Sequence, residues 1–112
     1  MISFISEHAA LIDIKPDQVI DTAKAEIIFD YTDEFLDGDY GVICDRHHGH
    51  CFNIKDVFPL IHHHKRLRII AMVVHDDDDL EIVRQESEEF DGDMGIFRSI
   101  VEATDWINTK FT

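Results

Sequence analysis

Residues 44–53 read CDRHHGHCFN, which places three histidines, two cysteines, an aspartate and an arginine within ten positions. Imidazole and thiolate are ligand types that zinc and other transition ions accept, and a tetrahedral site needs only three or four of them. A metal site in this loop would use His47, His48, His50 and Cys51. Spacing does not single that site out: six residues separate Cys44 from Cys51, and neither C-x-x-C nor H-x-x-x-H occurs. A hydrogen-bonded polar loop without resident metal or cofactor is therefore the expectation. Catalysis would make Cys51 the nucleophile, with a histidine as base and helix N-terminal amides lowering the thiol pKa. The sequence offers no identifiable orienting group or oxyanion donor to complete that set, so the chain is expected not to be an enzyme.

Two other clusters have ordinary explanations. His62, His63 and His64 end an expected helix, where they would cap carbonyls and complement the negative end of its dipole. The acidic run of residues 76–79 suits a solvated helix N-terminus and lacks the alternating oxygen-ligand spacing of a calcium loop.

What brings such clusters together is the order of elements. ISFIS (2–6) and ALIDIK (10–15) read as an antiparallel pair, with Ile12 and Ile14 on one face. Over residues 21–36, Ala23, Ile27, Tyr31 and Phe35 recur at four-residue spacing and predict an amphipathic helix stopped by Gly38. YGVICD (40–45) is the next strand. A helix capped by Asn53 follows, with Ile54, Val57, Phe58 and Ile61 inward; Pro59 either kinks it or moves its start toward Asp56. RIIAMVV (68–74) is continuously apolar, as a strand covered on both faces must be.

Asp78 and Glu81 are spaced as a capping box for a helix over residues 80–90. GIFRS (95–99) is the last strand. Ser99 and Glu102 cap the final helix, whose inner face is Ile100, Ala103, Ile107 and Phe111, with Trp106 beside them. The result is an α/β domain of order ββαβαβαβα over residues 1–112, a mostly parallel sheet with an antiparallel N-terminal strand and helices packed on it. In such sheets the loops at the carboxyl ends of the strands form one crevice, where ligands bind. Asp45, His47, His48, His50, Cys51, His75 and Asp76 are expected to share that rim, with the 62–64 triplet at the opposite end.

Composition narrows the partners. At 112 residues, 45% apolar and 30% charged, the chain fits one self-sufficient core. Its formal charge of −14 disfavours nucleic acid and anionic membrane surfaces. Protonating all eight histidines would bring it to −14 + 8 = −6. The N-terminal stretch lacks the pattern of a signal peptide, and no apolar run reaches the ~20 residues of a membrane span. These features predict a cytoplasmic chain whose cysteines are thiols rather than a disulfide.

Several segments resemble the STAS-like superfamily, in its sporulation anti-anti-sigma-like (SpoIIAA-like) branch. They are YGVICDR after a long helix, RLRIIAMVV directly after another, and the ending GIFRSIVEATDWI. The resemblance implies a non-catalytic domain that binds a protein partner in signalling, and in some members a small ligand or nucleotide. It also implies a phosphorylatable serine or threonine in the loop entering the second long helix. Here that loop is DRHHGHCFNIKD, and no serine or threonine occurs between Thr32 and Ser87, so a hydroxyl phosphoswitch there is ruled out. The expected function is a regulatory protein-interaction domain, with a small-ligand or metal sensor in the histidine crevice as the alternative. A homodimer through the edge strand ISFIS is one form the association could take.

Overall fold

Side chains alternate across a strand, so a strand with helices on both sides must be apolar throughout. The two central strands meet that condition. In a computed structural model of the chain, which describes residues 2–13, 21–46, 60, 64, 66–89 and 93–111, β3 (Tyr40–Asp45) and β4 (Leu67–Val73) are buried along nearly their whole length. The other elements are β1 (Ile2–Ser6), β2 (Ala9–Asp13), α1 (Thr22–Phe35), α2 (Asp77–Glu89), β5 (Asp93–Phe97) and α3 (Ile100–Lys110). They form one five-stranded sheet in the order β1-β2-β3-β4-β5, with β1 antiparallel to β2 and every other pairing parallel. The α/β class and the mixed sheet are as expected from sequence. The described order is ββαββαβα; it departs from the expected order only at the helix proposed from Asn53, whose residues, Leu60 and His64 apart, lie outside the described ones.

Alternation divides the sheet into two apolar cores. Ala10, Ile12, Tyr40, Val42, Cys44, Ile70 and Met72 face α1 and α2, meeting Ala25, Phe29 and Val83. Ala9, Ile43, Ile69, Ala71 and Val73 face α3, meeting Ala103 and Ile107. The inner face expected for α3 is the one observed, and Ser99 Oγ accepts the Glu102 amide at 3.2 Å as its cap. Gly41 lets that helix approach: a Cβ there would lie 2.8 Å from Ile69 Cγ1 and 3.1 Å from Ile107 Cδ1, closer than packed carbon atoms tolerate.

Two expectations need correction. In α1 the stripe Ala23, Ile27, Tyr31 and Phe35 is exposed, and the helix buries Ala25, Phe29 and Thr32 instead. The helix carries two apolar rows, and the one that includes Phe29 is turned to the sheet. In α2 the cap sits two residues earlier than the Asp78–Glu81 box: Asp76 Oδ1 accepts the Asp79 amide at 2.7 Å, and Asp77 to Asp79 form the first turn. Gly38, at φ +88°, makes the left-handed turn just beyond α1.

Candidate functional site

The parallel strands give the molecule two chemically distinct ends, and each gathers ionisable side chains. At the carboxyl ends, β3 delivers Asp45 and Arg46 beside the segment that leaves β4, tied by the Arg46 amide donating to the Val73 carbonyl at 2.9 Å. His75 Nε2 lies 2.7 Å from Asp45 Oδ1. A carboxylate oxygen only accepts, so Nε2 carries the proton. The expectation that Asp45 and His75 share one rim is met. Asp76 stands next to them, but its carboxylate accepts the Asp79 amide of α2. His47, His48, His50 and Cys51 lie outside the described residues.

Beneath this rim sits a pair not anticipated from sequence. Arg46 Nε donates to both oxygens of Asp79, at 2.8 and 2.9 Å, and both side chains are over nine-tenths buried. A buried charge is tolerated only when paired and hydrogen-bonded. Asp79 also lies in the first turn of α2, where the helix dipole favours a negative charge. The pair thus pins the start of α2 to the end of β3. Chemically, an Asp–His pair is the orienting half of a general base. The nucleophile it would need, Cys51 in the expectation above, is outside the described residues.

At the opposite end, α1 and the starts of β3 and β4 converge on Asp33. Its Oδ1 accepts the Tyr40 hydroxyl at 2.7 Å, and its Oδ2 faces His64 Nδ1 at 2.5 Å. Thr32 Oγ1 is 2.8 Å from the Tyr40 oxygen. Burial raises the Tyr40 pKa well above the ordinary phenol range; the Thr32 hydroxyl works against that rise and the Asp33 carboxylate adds to it. Arg66 closes the end of α1, donating through Nη1 to the Leu36 carbonyl at 2.6 Å and through Nη2 to the Asp33 carbonyl. His64 was expected at this end and is found here, but its ring bonds a carboxylate rather than helix carbonyls. His62 and His63 lie outside the described residues.

With Nδ1–H donated to Asp33, His64 presents Nε2 toward Asp30 Oδ1 at 3.7 Å. Asp30, Asp33 and His64 offer ligand atoms within 4.8 Å of one another. A carboxylate that fixes the histidine tautomer is the usual outer partner of a metal-bound imidazole. The Arg66 guanidinium, 3.9 Å from Asp33 Oδ1, opposes a cation there.

The third feature is apolar. Along the outer face of α1, Tyr31 and Phe35 cluster with Phe4 of β1, at ring-centroid distances of 4.6 Å for Tyr31–Phe35 and 5.7 Å for Phe4–Phe35, both tilted, and 5.9 Å for the stacked Phe4–Tyr31 pair. All three rings, and Ile27 one turn earlier, are exposed.

Comparison with family models, curated proteins and solved structures finds no match for this chain. Function must therefore be argued from these three surfaces. No described helix is long and apolar enough to cross a membrane. Arg46, Asp79, Asp33 and the aromatic cluster were all missed from sequence. The second apolar row of α1, with Ala25, Phe29 and Leu36 spaced four and seven residues apart, was the signal for the aromatic cluster, since burying that row turns Tyr31 and Phe35 outward; no local spacing marks the other three.

Proposed function

We propose that this chain is a non-catalytic, STAS-like protein-interaction domain with a regulatory role, which lacks the hydroxyl phosphoswitch. One observation carries the reading: Tyr31, Phe35 and Phe4 form an exposed aromatic cluster across a helix and an edge strand, with Ile27 exposed one turn earlier on the same helix row. Large side chains clustered in water mark association surfaces, because their burial against a partner regains the free energy that folding left unused. The buried and half-buried ionisable groups at both ends of the sheet support the same view, since Arg46 with Asp79 and Asp33 with Tyr40 are engaged with one another. The test is affinity capture from the source lysate with the native chain beside a Tyr31→Ser/Phe35→Ser variant. Proteins retained by the native chain and lost with the variant are expected; identical captures would remove this surface from the function.

The His64 geometry favours a second reading, a transition-metal sensor. Its site would be His64 Nε2 with Asp30, oriented by Asp33, rather than the 47–51 loop. Zinc stabilises a fold it binds by mass action. A saturable rise in the melting temperature with zinc that His64→Ala abolishes is expected on this reading; a rise that survives it returns the site to the loop.

A further inference from the structure

The proposed interaction surface has a charge pattern that specifies its partner. From Asp21 to Asp39 the chain holds seven acidic residues, at 21, 26, 30, 33, 34, 37 and 39, and a single basic one, Lys24. Three of the acids, Glu26, Asp30 and Glu34, recur at four-residue spacing, each one position before Ile27, Tyr31 and Phe35. On a helix this makes two neighbouring rows, one carboxylate and one apolar. Both are exposed: Ile27 keeps 69%, Phe35 58%, Tyr31 42% and Phe4 39% of their surface, and the three acids are exposed as well.

On the other flank of the aromatic rings is β1, the outer strand of the sheet, with no strand paired to its far side among the described residues. Its sequence, ISFIS, has no charge and no proline, two of the devices that guard an edge, although its pairing with β2 is irregular between Phe4 and Ser6. An uncharged edge accepts an added strand through main-chain hydrogen bonds, here along the regular stretch Ile2 to Phe4, and alternate side chains of that strand then fall on one face.

We propose that β1 and the α1 row receive an extended, cationic segment of another protein, whose alternate arginine or lysine side chains lie over Tyr31 and Phe35 and reach Asp30 and Glu34. This rests on the interaction reading above and names the chemistry of the occupant. A guanidinium is held by an aromatic face and more strongly by a carboxylate beside it. The electrostatics select against a second copy as occupant. Two chains of formal charge −14 would bring two like-charged Glu26–Asp30–Glu34 rows together at the contact, within the Debye length of ~8 Å.

The test is fluorescence anisotropy with a labelled ten-residue peptide alternating arginine and valine, and the same peptide with glutamate for arginine. Saturable binding of the arginine peptide is expected, weakened at least tenfold by Tyr31→Ser/Phe35→Ser. That variant keeps the net charge, so general attraction to an acidic chain cannot mimic the loss. Val101→Ser, at an exposed apolar position on α3, should leave binding unchanged. Equal affinity for the double variant, comparable binding of the glutamate peptide, or no binding at all would overturn the proposal. Sedimentation separates this from failure of the broader reading: a native dimer that Tyr31→Ser/Phe35→Ser converts to monomer makes a second copy the occupant, which sinks the cationic segment and keeps the interaction surface.

Discussion

Asp79 is the residue whose replacement should be felt most sharply. Its carboxylate accepts from the Arg46 Nε through both oxygens, and both side chains are shut away from water. Asp79→Asn keeps the shape but leaves a buried guanidinium without its counter-charge, a loss of about 3–5 kcal/mol. Replacing both partners by apolar residues, Arg46→Met with Asp79→Leu, removes the desolvation cost together with the attraction, so most of the stability should return. Urea midpoints of the two variants check this; an Asp79→Asn chain as stable as the parent would show that the pair contributes little. Tyr40 gives a pH test at the other end. Its folded pKa is raised, so its stabilisation is complete below the unfolded value of ~10 and is lost as the pH climbs above that value. In a Tyr31→Phe background, phenolate absorbance near 295 nm should therefore emerge together with loss of the circular dichroism of the fold. Phenolate formed while the fold persists would contradict a buried, hydrogen-bonded Tyr40.

Helix α1 shows where sequence patterns lose their authority. Periodicity identified the helix correctly and chose the wrong face, because two apolar rows satisfy the same spacing and only the sheet decides between them. Two substitutions separate the faces. Phe29→Ala opens a cavity in the core and should cost about 3–5 kcal/mol, whereas Ile27→Glu on the outer row should change stability by less than about 0.5 kcal/mol. Chemical denaturation of both variants is the measurement, and a large loss for Ile27→Glu would restore the sequence-based face. Elements with one dominant signal were legible: the apolar run of β4, and α3 with its single stripe and its Ser99 cap. The site was legible only where strand order sufficed, as for Asp45 and His75. Arg46–Asp79 and Asp33–His64 join residues 33 and 31 positions apart, and such pairs obey no local spacing.

At the scale of the molecule, the sheet is a shared wall between two cores. β3 sends Val42 and Cys44 toward α1 and Ile43 toward α3; β4 sends Ile70 and Met72 one way and Ala71 and Val73 the other. Neither core can dissolve without stripping one face from strands that the other core still needs. Small domains built this way unfold as a unit. Trp106 packs against the α3-side core alone, so its fluorescence reports that layer. Phe29→Ala injures only the opposite layer. If the wall couples the two, Phe29→Ala should lower the urea midpoint seen by Trp106 by about 1 M or more, given a loss of ~3 kcal/mol and a slope of ~1–3 kcal/mol/M. Ile107→Ala, on the side of Trp106, should move the same transition in the same direction. A Trp106 transition that ignores Phe29→Ala while helicity at 222 nm falls early would mean that the two layers melt separately, and that helix α1 can loosen while the rest of the fold stands.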